Sequence, residues 1–211
     1  MKILALADLH AEEAVLDRLR VVSTRGDYDY ILIAGDITND GPVSYAEELV
    51  DLLGDKKLFA VHGNMDPPAV AELLEERGVS VNGKKKSIGE WNVVGFGGSN
   101  PTPFNTPSEM SEEEIGKKAG GLKIDKFSIF LTHTPPYGVM DTVGGIHIGS
   151  RAIRKIIEER KPLLNICGHV HEHEGQSVIG ETLVVQLKPA KQLGAAEIRI
   201  DDDIKVRFIE L

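Results

Sequence analysis

With 211 residues, 41% hydrophobic and 27% charged, the chain has the make-up of a globular protein large enough for one sizeable α/β domain. Its formal charge is −9, and Lys84-Lys85-Lys86 is its one compact basic run, so no long nucleic acid is expected as a partner. No apolar run approaches the about 20 residues of a membrane span. Cys167 is the only cysteine, which excludes a disulfide framework and a cysteine metal cage; a cytoplasmic location without a membrane partner is the expectation.

The first half alternates between two periodicities. "KILALAD" (2–8) reads as a buried strand and "AEEAVLDRLRVVSTR" (11–25) as a helix. "YILIAGD" (30–36) is a strand, and "VSYAEELVDLLG" (43–54) a helix closed by glycine. "KLFAV" (57–61) is a strand; "PPAVAELLEERG" (67–78) has proline at its start and glycine past its end, the asymmetry of a helix. This alternation predicts βαβ units and a parallel sheet buried on both faces. "KKSIGE" and "WNVVGFGG" then read as a hairpin pair. The segment "SNPTPFNTPSEM" (99–110) is long for a connection, and such loops are often functional. "SEEE" (111–114) is a capping box opening a short helix. "FSIFLTH" and "PLLNICGH" are strands flanking the helix "SRAIRKIIEERK", and "GQSVIG", "TLVVQL", "GAAEIRI" and "DIKVRFIEL" close the chain as short strands. The expected fold is α/β: a four-layer αββα sandwich of two mixed β-sheets flanked by helices, in a single domain over 1–211. The last strand could lie at a sheet edge, where a homodimer could form.

Five apolar segments end in a hard oxygen or an imidazole: Asp8 and His10, Asp36, Asn64, His133, and His169 with His171. Ligands of α/β sheets bind at that edge. In extended chain, residues two apart point the same way, which would aim both members of each closely spaced pair into one site. Glycine precedes Asp36, Asn64 and His169, allowing tight turns beside a crowded centre. Two carboxylates, one amide oxygen and four imidazoles without sulfur suit Mn, Fe, Co, Ni or Zn. Seven donors exceed a mononuclear site and fit two divalent ions sharing a carboxylate; ligand type does not choose among these metals, and Mn is the expected one. Each residue alone has a plainer reading, a turn-forming Asp or a satisfied core His; the ordered set does not.

In this order and spacing, "DLH", "GD", "GN", "TH" and "GHVH" resemble the calcineurin-like metallophosphoesterase superfamily, in particular its small prokaryotic phosphodiesterase-type members. The resemblance implies that Asp8, His10, Asp36 and His171 hold one metal. It implies that Asn64, His133 and His169 hold the other, with Asp36 bridging. It also implies hydrolysis of a small phosphorylated substrate by a hydroxide between the metals.

"HGNMD" (62–66) departs from the pattern. The family usually has His after Gly-Asn, where it assists the leaving group, and Met65 cannot donate a proton. Three explanations follow. The metals suffice for a phosphodiester with a good leaving group or strained ring, such as a cyclic nucleotide. Alternatively, His147 in "GGIHIGS" supplies the proton, although it also reads as a plain loop histidine. Or the chain is a non-catalytic protein-interaction scaffold on the same fold. Retention of all seven donors favours the phosphodiesterase, with Asp36 and His147 as catalytic residues. Asp66 before Pro67 reads as a helix N-cap. Asn64, Asn100 and Ser150 are the substrate-binding candidates. Ser150 would hold phosphate at a helix start beside Arg151 and Arg154, with a simple serine cap as the plainer reading.

Overall fold

The computed structural model describes residues 1–25, 28–54 and 57–211. Among the described residues, five α-helices and thirteen strands follow in chain order. They are β1 (Lys2–Leu6), α1 (Glu13–Arg25), β2 (Tyr30–Ala34), α2 (Val43–Leu53), β3 (Lys57–Val61) and α3 (Pro68–Glu76). Next come β4 (Lys85–Ile88), β5 (Trp91–Phe96), α4 (Glu112–Gly120), β6 (Ser128–Thr132), β7 (Thr142–Val143) and β8 (Ile146–His147). The chain ends with α5 (Arg151–Arg160), β9 (Leu164–Cys167), β10 (Gly175–Ile179), β11 (Thr182–Gln186), β12 (Gly194–Ile200) and β13 (Ile204–Glu210).

One sheet has the order β13-β12-β1-β2-β3 and the other β10-β11-β9-β6-β5-β4. Each holds a parallel block, β1-β2-β3 in the first and β11-β9-β6-β5 in the second, extended by antiparallel strands, so both are mixed. β13 forms one outer edge and the lysine-bearing β4 another. β7 and β8 make a separate two-stranded ribbon.

Strand alternation sorts the apolar side chains into layers. Ile3, Ala5, Leu32 and Ala34 face Val93, Ile129, Leu131 and Ile166 between the sheets. The alternate residues Leu4, Leu6, Ile31 and Ile33 pack under Leu16 and Leu19 of α1, Leu49 of α2 and Leu74 of α3. On the far side, Val94 and Phe130 meet Ile115 of α4 and Ile153 and Ile157 of α5. The result is the expected four-layer sandwich. Ser111 caps α4 through a complete capping box with Glu114, also as expected. Among the described residues, no helix is long and apolar enough to cross a membrane.

This arrangement positions the site. β1, β2 and β3 run parallel in one sheet, and β6 and β9 run parallel in the other. The segments leaving their carboxyl ends carry all seven candidate donors.

Candidate metal centre

The donors lie just beyond the strands, not in them. β1 stops at Leu6, yet its exit segment stays tied to the β2 exit: Asp8 N–H donates to Gly35 O (2.9 Å) and His10 N–H to Asp36 O (3.0 Å). Asp8, His10, Asp36 and His169 all adopt left-handed backbone, with φ of 56°, 51°, 49° and 72°. Such conformations are uncommon for non-glycine residues and gather at functional sites. The extended-chain account of the two-residue spacing is therefore wrong: bent backbone aims these side chains, and His169 and His171 fall into different groups.

Two groups form. Asp8, His10 and His171 make one and Asp36, His133 and His169 the other, each with its donor atoms within 4.8 Å of one another. Asp36 joins them, with Oδ1 3.4 Å from His133 Nε2 and Oδ2 3.8 Å from His10 Nε2. Asn64 completes the second group, its Oδ1 2.8 Å from His133 Nε2. Glycine permits this density. A Cβ on Gly35, at φ +89°, would stand 2.7 Å from His133 Nδ1, and one on Gly63 would overlap Asp36 Oδ1.

The donor set fits a pair of cations. His10 Nε2 faces His171 Nε2 at 3.4 Å, and His169 Nδ1 faces His133 Nε2 at 3.2 Å. Carboxylate oxygens converge on the same points, as with Asp8 Oδ1 3.4 Å from His171 Nε2. Imidazole nitrogens and carboxylates around shared centres are a donor set of the kind that divalent transition metals accept. The surroundings fix the rings as well. His133 Nδ1–H donates to the Ala34 carbonyl at 2.8 Å, which leaves Nε2 as the donor to a metal.

The electrostatics differ from ring to ring. Burial holds His169 down to about 4 and lowers His10, so both rings are neutral near pH 7. Burial opposes charge on His133, but Asp36 and Asp8 outweigh it and hold its pKa up at about 9. Burial likewise opposes the Asp36 carboxylate, and His133 and His10 overcome it, bringing it to about 2. His62, half-buried outside both groups, is held by burial at about 4.

A cleft of about 340 Å³ opens over the centre. His10, Asp36, Asn64, Met65, His169 and His171 form its floor. Pro101, Thr102, Pro103, Phe104 and Thr106 of the long loop contribute wall, as do Val143, Ile148 and Glu172. A larger cavity of about 460 Å³ between α4 and α5 shares no residue with the donor set.

The other candidates lie elsewhere. Ser150 is fully buried; it caps α5 by accepting from Ile153 N–H and donates to Glu112. Glu112 also takes the Arg151 and Ala152 N–H groups, so the α5 N-terminus already holds a carboxylate where phosphate was expected. The Asn100 side chain ties Ile148 O to Thr134 Oγ1 and does not line the cleft. His147 sits in the ribbon beside the cleft without lining it; its Nδ1 is 2.6 Å from Asp141 Oδ1 and its ring 5.1 Å from that of Tyr137.

Asp66 corrects a further expectation. It does not cap α3, whose N-cap is Pro67. Its buried carboxylate accepts from Ile37 N–H (3.1 Å), Thr38 N–H (2.7 Å), Thr38 Oγ1 (2.9 Å) and Gly63 N–H (2.8 Å). It thus bolts the Asp36 exit to the Asn64 exit. Thr106 and Glu109 also escaped sequence reasoning. Thr106 Oγ1 accepts from Asn64 Nδ2 at 2.9 Å, which turns Oδ1 toward the centre. Only the length of their loop hinted at a role.

A protein of Methanocaldococcus jannaschii, MJ1162, described as uncharacterized, is 38% identical over 197 residues, covering 90% of this chain and 88% of its own length. An archaeal phosphodiesterase superposes with a TM-score of 0.63 at 13% identity over 100% of both chains. A dimetal phosphatase from Danio rerio gives 0.67 at 11% identity over 100% of this chain and 96% of its own. The calcineurin-like phosphoesterase family model matches residues 1–173, and with that match the chain belongs to this family.

Proposed function

We propose that the protein is a dinuclear-metal phosphoesterase acting on phosphodiesters with a good leaving group or a strained ring. The family is one of metal-dependent phosphoesterases and implies a dinuclear divalent centre. Asp8, His10 and His171 would hold one ion and Asn64, His133 and His169 the other, with Asp36 shared. Bound there, two divalent cations supply Lewis acidity toward phosphate and a nucleophile near neutral pH. The chain's own part is to fix that geometry through the Ala34 carbonyl, Asp66 and Thr106.

The observation that carries the diester reading is the make-up of the cleft. Met65 lies on its floor where the family usually has a proton-donating histidine, and no Lys or Arg is among the described lining residues. A general acid contributes typically about 10²–10⁴-fold, so a site without one favours esters whose leaving oxygen needs no proton. A diester also carries less negative charge than a monoester, which suits a wall without cations. The names of the archaeal phosphodiesterase and the fish dimetal phosphatase support phosphoester chemistry on this fold. His147, outside the cleft lining, is the weaker source of a proton, so the metals alone are the preferred answer to Met65.

The test compares bis-p-nitrophenyl phosphate with p-nitrophenyl phosphate on Mn²⁺-loaded protein, beside Asp36→Asn. Faster diester turnover that disappears in the variant is the expected result. No turnover with Mn, Fe, Co, Ni or Zn would sink the hydrolase reading in favour of the interaction scaffold.

A further inference from the structure

We infer that Phe104 determines specificity, as a stacking surface for a flat aromatic ring of the nucleobase type carried by the phosphodiester. This rests on the reading of the cleft as a phosphodiester site. Phe104 is 80% exposed yet lines the cleft over the metal centre. A single exposed phenylalanine by itself signifies little. Here its backbone is held in place. Glu109 accepts from Thr102 N–H (3.0 Å), Thr102 Oγ1 (2.6 Å), Thr106 N–H (2.8 Å) and Thr106 Oγ1 (2.5 Å), clamping both sides of the turn. Phe104 N–H donates to Thr102 Oγ1 at 3.1 Å within it, and Asn105 turns the chain at φ 52°. Thr106 then reaches Asn64, so the turn that carries the ring is tied to a side chain of the cleft floor two hydrogen bonds from the clamp.

The chemistry of the wall selects the occupant. Pro101 and Pro103 flank Phe104 with rigid apolar surface, and Val143 and Ile148 add more. No cation stands among the described lining residues to hold a further phosphate. At about 340 Å³ the cleft lies at the small end of small-molecule sites, which run to about 1,000 Å³. That room suits a phosphate with one ring system and not paired acyl chains. Aromatic stacking tolerates any base, because every base has a π-face, so the preference is for a base over none.

Two ligand pairs isolate the ring. Calorimetric titration of Mn²⁺-loaded protein would compare AMP with ribose 5-phosphate, and kinetics would compare 2′,3′-cyclic AMP with 1-O-methylribose 2,3-cyclic phosphate. Wild type should prefer the base-bearing member of each pair by about tenfold, the scale of one stacked base. Phe104→Ala should bring both ratios to within about twofold, and Phe104→Trp should restore them. Equal affinity of wild type for AMP and ribose 5-phosphate, or a preference that survives Phe104→Ala, overturns the inference. A base preference in binding without any turnover would instead remove the hydrolase reading and leave the stacking surface in place. Turnover without a base preference would do the reverse.

Discussion

The floor and the wall of the cleft are built on opposite plans. On the floor, backbone places the donors: strand exits tied to one another, four left-handed residues, and glycines where no Cβ fits. The wall is a loop clamped by side chains onto a single carboxylate, Glu109, with Phe104 exposed upon it. The floor is charged, crowded and buried, and it makes chemical sense around cations. The wall is mostly apolar and open, and it makes sense around a substrate. On the proposed function, reactivity belongs to the floor and selectivity to the wall, so mutations in one should leave the signature of the other readable.

The largest effect should come from the floor. Asp36→Asn removes the shared carboxylate, and bound Mn should fall below two per chain by elemental analysis, with diester turnover lost. Two ions retained at full occupancy would contradict its bridging position. Asp66→Asn should come next. Its four hydrogen bonds support the Asp36 and Asn64 exits, and loss of such support typically costs about 10–100-fold in metal affinity. Burial and Asp36 push the Asp66 pKa up, while the N–H groups of Gly63, Thr38 and Ile37 hold it down, so the exchange for a neutral amide tests the acceptors more than the charge. A chelator competition titration reads the affinity. An unchanged value would reduce Asp66 to a packing residue.

Met65 lies where floor meets wall, with its N–H on Asp36 Oδ1 at 2.8 Å. Met65→His should raise turnover of alkyl esters, which need leaving-group protonation, by about tenfold or more, and aryl esters much less. Equal gains on both ester classes would show that the histidine acts on binding and not as an acid.

The floor was legible in the sequence because apolar strands end where their donors begin. The sandwich was legible because the early strands are apolar without a break, as strands buried on both faces are, and short strands close the chain; Ile3 and Ala5 indeed face one layer and Leu4 and Leu6 the other. The aim of the donors was not, since alternation describes extended chain and the ligand segments are bent. Asp66 before two prolines matches a cap locally; its real partners, Ile37 and Thr38, lie 29 and 28 residues away. Ser150 was correctly suited to cap a helix, but Glu112, 38 residues earlier, takes the place left for phosphate. The ribbon of β7 and β8 has two residues per strand, too few to show a period. The wall left only its length as a signal, because side-chain clamps have no repeat.

Glu109→Gln should give the smallest and most selective effect. Desolvation would raise the Glu109 pKa, but the hydroxyls and N–H groups of Thr102 and Thr106 overcome it and hold it at about 2, below the ordinary 4.5. A carboxylate held low stabilises the fold above its unfolded pKa, because the unfolded chain binds more protons as pH falls. The stability gap between wild type and Glu109→Gln should thus be full above about pH 4.5 and close progressively toward pH 2. Thermal midpoints of both proteins in chelator, from pH 7 to pH 3, measure it, and the gap at pH 7 should be of order a few degrees in Tm. Because the clamp serves the wall, the variant should also weaken the preference for AMP over ribose 5-phosphate while its Mn stoichiometry stays at two. A gap as wide at pH 3 as at pH 7 would mean that Glu109 holds the loop by shape and not by charge. Loss of Mn together with the base preference would mean that floor and wall are one unit, coupled through Thr106 and Asn64.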